Sequence, residues 1–397
     1  MNTEPLHRKL ARAFADSGGT VMFGLPGGGP NLDVIGAATD EGIRFVLAHG
    51  ETAAAIMAST HGLLAGVPAV VLGTRGPGAA SMANGVAQAT LDRHPLVSVA
   101  DTVPADQKHR VAHQRIDQLA MFAPLVKHSS TIGSATTVEQ LGHLIGFAGR
   151  WPHGTVHLDY DPSFIEPPTL PGDTPAPVAP DLGEAHGALG RSRHPVIIVG
   201  AEAAALADEL GPLLDAAACP ILTTYQAIGI CPTEGQVHAG LFTNGALEAP
   251  VLDRADLLVT IGLDLVEPIP APWTRTVDVL RVSSETLRDA YLPAGIDLVG
   301  DVVAIVSELL DGVSTSWGED DARGFRRSAR EVIRACRAPE PAPGTLDPIE
   351  VVDTVAASTP RRATVTVDAG AHFLAVMPLW PVANARQLLI SNGLATM

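Results

Sequence analysis

The run Phe45-Val46-Leu47-Ala48-His49-Gly50-Glu51 places a carboxylate where an apolar strand hands over to an alanine-rich helix. At the level of the residue, two readings stand. A carboxylate in a first helical turn gains about 0.3–1 kcal/mol from the helix dipole. The same group could instead hold and pass a proton beside a ligand. Two further loops bear on the choice: Gly-Leu-Pro-Gly-Gly-Gly-Pro-Asn at 24–31, and Gly73 to Gly85 with Gly76-Pro77-Gly78 inside it. Glycine-rich loops after parallel strands let backbone approach a ligand and aim helix N-termini at it. Tight turns need glycine too. All three segments fall at carboxyl ends of expected strands, where open α/β sheets bind ligands.

The elements that must position these groups repeat as strand, glycine turn and helix. Expected strands are Val21–Leu25, Phe45–Ala48, Ala69–Gly73, Leu96–Ala100 and Thr155–Tyr160. They are uniformly apolar, as strands buried on both faces must be. Between the second and third, Thr52–Leu64 reads as a helix with Ile56, Met57, Thr60, Leu63 and Leu64 on one face. The fold class is therefore α/β, built from consecutive doubly wound parallel sheets. Residues 161–184 are dense in proline and read as an extended linker. A second α/β block follows, with strands in His194–Gly200, Pro220–Thr224, Ala255–Asp264, Val277–Ser284 and Ile296–Asp301. Gly200 opens a nucleotide-like turn, but the segment lacks the second and third glycines of a dinucleotide fingerprint. A charged helix at 318–337 and a second proline-rich linker lead to a third block of one or two strands, too few for an independent domain.

A chain of 397 residues exceeds one core, and 46% hydrophobic composition without polar tracts predicts folding throughout. A formal charge of −17 argues against nucleic acid and anionic membrane partners. No apolar run reaches membrane-spanning length, and the N-terminal stretch reads as an amphipathic helix without a signal-peptide core. Cys219, Cys231 and Cys336 have no metal-type spacing and point to a reducing, cytoplasmic setting.

Six segments, in order and spread over almost the whole chain, carry a resemblance: FGLPGGG, HGE, GTRGPGAASMANGVAQATLDRHPLV, HQRIDQLAMFAPLVKH, VDAGAHF and SNGLATM. Together the sequence resembles the thiamine-diphosphate-dependent 2-oxoacid enzymes of the acetolactate synthase type. The resemblance implies a pyrimidine-binding domain over 1–165, a proline-rich linker at 166–190, a central Rossmann-like domain over 191–337, and an incomplete pyrophosphate-binding domain at 338–397. It implies that Glu51 hydrogen-bonds the aminopyrimidine ring and assists ylide formation at the neighbouring thiazolium, which then attacks a 2-oxoacid. Gln114 would face substrate. Pro26, Gly27, Gly76, Pro77 and Gly78 would lie against the cofactor, Gly370, Ala371 and His372 against its diphosphate, and Ala395 and Met397 at its bend. Rigid turns account equally well for Gly76–Gly78 and for His372, and chain-end fraying for Met397. His113 replaces the family's usual phenylalanine, and Lys127 matches an entrance lysine; a surface position suits either as well.

The family's Mg²⁺ loop, Gly-Asp-Gly with a later Asn, is missing from the sequence, so no metal ligand is assigned. Mg²⁺ ligands are expected in a C-terminal part beyond the sequence or on a second subunit; a degenerate, non-catalytic scaffold or regulatory subunit is the alternative. The segment TIGLDLVEPIPAPW lacks the arginine of flavin-binding relatives, so FAD is not expected. The expectation is a cytoplasmic carboligase or decarboxylase (a transferase or lyase), either a homodimer or tetramer or paired with a second subunit carrying the metal loop. In this family the active site lies between domains of two subunits.

Overall fold

Leu6, Leu10, Ala13 and Phe14 recur at helical spacing, and helix α1 (Leu6–Asp16) buries all four. The computed structural model describes residues 4–172, 179–286, 292–293, 295–311, 313–337, 344–391 and 393–394. The chain divides into two compact units, Met1–Thr174 and Pro175–Met397.

In the first unit α1 is followed by β1 (Val21–Gly24), α2 (Gly29–Asp40), β2 (Arg44–Leu47), α3 (Glu51–Ala65), β3 (Ala69–Gly73), α4 (Pro77–Leu91) and β4 (Leu96–Asp101). Then come α5 (Gln118–Phe122), β5 (His128–Ile132), α6 (Val138–Ala148) and β6 (Thr155–Tyr160). The six strands pair in the order β2-β1-β3-β4-β6-β5, all parallel. One core packs α1, α2 and α6 on one face, and another packs α3 and α4 on the other. Because β1 lies between β2 and β3, the loops leaving those three strands emerge side by side at one sheet edge.

Two local expectations need correction. β2 is an edge strand, not one buried on both faces, and Leu47 is 65% exposed. The face of α3 that holds Met57 and Leu64 is also not the buried one. The helix buries Ala54, Ala55, Ala58, Ser59 and Gly62 instead. Small residues win there because α3 lies very close to its neighbours. A Cβ added at Gly85 of α4 would stand 2.7 Å from the Ala55 Cβ, and one at Gly62 would stand 2.4 Å from the Pro95 carbonyl oxygen. Lys127 is not a solvated surface lysine: its Nζ donates to the carbonyls of Phe147 (2.8 Å) and Arg150 (2.7 Å), closing the C-terminal end of α6.

The second unit runs α7 (Gly183–Arg191), β7 (Pro195–Val199), α8 (Ala201–Ala205), α9 (Ala207–Asp215), β8 (Ile221–Thr223), β9 (His238–Leu241), α10 (Ala249–Leu252) and β10 (Leu257–Ile261). It continues through β11 (Asp278–Ser283), β12 (Ile296–Val299), α11 (Val302–Leu310), α12 (Asp321–Ala335), α13 (Pro348–Ser358), β13 (Val365–Val367), α14 (Phe373–Leu379) and β14 (Leu388–Ile390). Its main sheet is parallel in the order β12-β11-β10-β7-β8-β9. β13 and β14 form a separate parallel pair. The last segment does not stand apart: Trp380, Val382, Leu388 and Ile390 share a core with Tyr225, Ile228 and Leu241.

Candidate functional site

Glu51 opens α3 directly after Gly50, whose extended backbone (φ −165°) carries the chain from the end of β2 into the helix. The residue is half-buried, and among the described residues its carboxylate has no hydrogen-bond or ion-pair partner. The β3–α4 loop lies against it. A Cβ added at Gly78 would stand 3.3 Å from Glu51 Oε1 and 3.1 Å from Thr74 Cγ2. The β1–α2 loop packs on Thr74 of that loop: a Cβ added at Gly27 would fall 2.6 Å from Thr74 Cβ and 2.6 Å from Asn31 Nδ2. At Gly28, Gly29 and Gly50 the corresponding space is open. Pro26 is exposed at the start of this loop.

The loop turn itself needs glycine. Gly76 has φ +69° and ψ −103°, a conformation that side chains avoid, and a Cβ there would lie 2.5 Å from the Gln114 carbonyl oxygen. Gln114 has φ +56° and is half-buried, whereas Pro77 and His113 are exposed. Glu51, Gly27, Gly76, Gly78 and Gln114 therefore gather on one sheet edge. Replacing Gly76 with Ala is expected to destabilise the first unit by roughly 2 kcal/mol, through strain and displacement of Gln114. A urea melt followed by circular dichroism measures it, and an unchanged midpoint would contradict the close approach.

Sequence reasoning missed the groups that hold this edge. Asp101, 1% exposed at the end of β4, accepts from the Arg75 N–H (2.9 Å) and the Thr74 hydroxyl (3.3 Å). Gln118, 2% exposed on α5, accepts from the Gly76 N–H at 2.9 Å. The available signal was a polar residue closing an apolar strand, Leu96–Asp101. Asn31 was missed too: it is 1% exposed, and its Nδ2 has no partner among the described residues.

Gly370, Ala371 and His372 form the turn between β13 and α14 in the second unit, with Ala371 and His372 exposed. Ala395 and Met397 lie outside the described residues. Among the described residues, no group of three or more His, Cys, Asp or Glu side chains could hold a metal ion.

In the second unit the strand order reverses at β7, which lies between β10 and β8, the place where such sheets form a crevice. Buried Glu267 fills it. Its Oε2 accepts from the N–H groups of Ala201 (2.9 Å) and Asp264 (3.1 Å), and its Oε1 from the Thr224 hydroxyl. Burial pushes its carboxyl up to about 8 despite these bonds, which lower it, and nearby Asp264 adds to the rise.

Two family models match the chain. Residues 6–121 match the thiamine pyrophosphate enzyme N-terminal TPP binding domain, and residues 182–309 match the central domain of the same enzymes. Together they span more than half of the chain, and the first includes Glu51, its flanking loops and Gln114. The chain is 27% identical over 413 residues to an acetolactate synthase of Bacillus subtilis, covering 97% of this chain and 70% of the relative. It is 27% identical over 402 residues to a catabolic acetolactate synthase of Raoultella terrigena, covering 95% and 70%. It is 25% identical over 405 residues to the acetolactate synthase isozyme 1 large subunit of Escherichia coli, covering 95% and 69%.

Proposed function

Since the chain belongs to the thiamine pyrophosphate enzymes, we propose that it is an acetolactate-synthase-like carboligase that uses thiamine diphosphate on a 2-oxoacid, with Glu51 as its activating carboxylate. One observation carries the role of Glu51. A half-buried carboxylate, without a partner among the described residues, lies against the Gly78 loop at a sheet edge, and the Gly27 loop packs on Thr74 of that same loop. That edge fits the aminopyrimidine half of the cofactor. Gly78 presents no side chain beside Glu51 Oε1, and open space stands at Gly28, Gly29 and Gly50. When bound, thiamine diphosphate supplies the nucleophilic carbon and the electron sink for decarboxylation.

The chain's own residues do the rest. Glu51 holds a proton at its carboxylate and shares it with a ring nitrogen. Gly76 and Gly78 keep side chains out of that contact, and Gln114, whose backbone rests on Gly76, faces the substrate side. Gly370, Ala371 and His372 offer backbone and an imidazole to a diphosphate. A second subunit carrying a Gly-Asp-Gly loop would hold the Mg²⁺ that neutralises the diphosphate. A non-catalytic scaffold is not favoured, because the Glu51 edge is intact.

Two further parts belong to this reading. FAD is not used: Glu267 already occupies the Ala201 and Asp264 amides of the second crevice, where a dinucleotide phosphate would need donors. The chain assembles, as a homodimer or tetramer or with a second subunit. In support, Leu47, Met57 and Leu64 leave apolar surface exposed on β2 and α3. Among the described residues no helix is long and apolar enough to cross a membrane, and a cytoplasmic location accords with this reading.

Thermal unfolding tests the cofactor assignment. Thiamine diphosphate with Mg²⁺ at a hundred times its dissociation constant is expected to stabilise by about 2.7 kcal/mol, a rise of roughly 5–10 °C in Tm. No shift, either alone or with a polypeptide supplying the metal loop, would favour the scaffold.

A further inference from the structure

The amide of Gln118 is used at both ends. While Oε1 holds the Gly76 N–H at 2.9 Å, Nε2 donates to Asp159 Oδ1 (2.6 Å) and to the Asp101 carbonyl (3.3 Å). The same Asp159 oxygen lies 3.1 Å from His157 Nε2, and His157 Nδ1 lies 2.9 Å from the Ser98 hydroxyl. An ionised carboxylate only accepts, so a neutral His157 donates from Nε2 and accepts a hydrogen bond from the Ser98 hydroxyl at Nδ1. Phe122 packs on the imidazole with ring centroids 3.9 Å apart. Serine, histidine and aspartate in sequence invite comparison with a hydrolytic triad. Ser98 and His157 are both 0% exposed, however, and no substrate reaches them.

Polar groups buried this deeply cost stability unless all are paired, and a paired network fixes one geometry. Here the network runs from the centre of the sheet and ends on one backbone N–H, that of Gly76. Asp101 takes the adjacent N–H of Arg75. The segment so held, Thr74 to Gly78, is the one that touches Glu51 and Gln114. Resting on the reading of Glu51 above, we infer that Gln118 is a positioning residue that clamps the Thr74–Gly78 loop and so sets the wall against which Glu51 meets the cofactor.

Gln118→Met keeps the volume and removes all three hydrogen bonds. Hydrogen exchange read by mass spectrometry, on protein without cofactor, is expected to show peptides covering 74–79 exchanging about tenfold faster while β4 and β6 keep their rates. Q118E alone sets two carboxylates against each other. In Q118E/D159N the carboxylate at 118 accepts from Gly76 and the amide at 159 donates back, while His157 moves its proton to Nδ1, donates to Ser98 and accepts from the same amide at Nε2, so the loop is expected to recover towards the wild-type rate. Unchanged loop exchange in Q118M, equal acceleration of β4 and β6, or a double variant no better than Q118E would each overturn the clamp. Titration with thiamine diphosphate and Mg²⁺ separates this from the cofactor assignment. Binding about tenfold weaker in Q118M than in wild type supports the clamp, and equal affinity overturns it. Absence of binding by wild type, both alone and with a polypeptide supplying the metal loop, removes the assignment of Glu51 on which the clamp rests.

Discussion

Changing Glu51 to Gln should lower turnover of a 2-oxoacid by about 10²–10⁴-fold, the range for loss of a positioned proton-transfer group. That corresponds to roughly 2.7–5.4 kcal/mol of barrier. The same change should barely affect stability. If Glu51 served only the dipole of α3, its loss would cost at most about 1 kcal/mol of folding free energy and nothing in rate. The two readings of the carboxylate thus differ in which measurement moves. Glutamine has nearly the same shape and still accepts a hydrogen bond, but it cannot take up a proton. Glu51→Ala also opens a gap beside Gly78, so its rate loss should be at least as large, with a further loss in cofactor affinity. Released CO₂ from the assembled enzyme, together with a urea melt of each variant, measures both quantities. Wild-type turnover in E51Q would end the assignment.

The fold class and the carboxylate were legible because both are written locally. Continuous apolar runs marked the central strands, and Gly50-Glu51 after the apolar run of the edge strand β2 marked a strand end turning into a helix. What escaped notice was set by partners distant in sequence. β5 reads His-Ser-Ser-Thr-Ile and β9 reads His-Ala-Gly-Leu, too polar or too short to announce a strand. Both are sheet edges, where one neighbour suffices. The bulky face of α3 was open because the helix approaches α4 so closely that only alanine, serine and glycine fit between them. Helical periodicity locates an apolar face without saying whether smaller residues opposite pack better. Gln118 was invisible for the same reason: its partner Gly76 stands 42 positions earlier, and a lone glutamine in a short helix carries no periodic signal. Lys127 finds its carbonyl partners 20 and 23 positions later.

The second large effect lies in the other unit. Between about pH 4.5 and 8, Glu267 stays protonated in the folded chain while its unfolded counterpart ionises. The folded state then binds more protons, so stability falls as pH rises across that window and levels off above about 8. At roughly 1.4 kcal/mol per unit the total is several kcal/mol. Buried His238 works in the opposite sense. Burial holds its imidazole down to about 3, with Arg326 and Arg330 adding to the fall, so its contribution is lost as pH drops from 6.5 towards 3. A wild-type curve mixes the two, and the difference between wild type and Glu267→Gln isolates the first. Glutamine can keep its carbonyl on the Ala201 and Asp264 amides and turn its NH₂ to the Thr224 oxygen, so the crevice stays filled. Urea unfolding at pH 5, 6.5 and 8 should find the two proteins close at pH 5 and the variant more stable by several kcal/mol at pH 8. Parallel curves would mean that water reaches Glu267 and that it ionises normally. The crevice would then be open enough to admit a phosphate, and the case against a bound dinucleotide would fall with it.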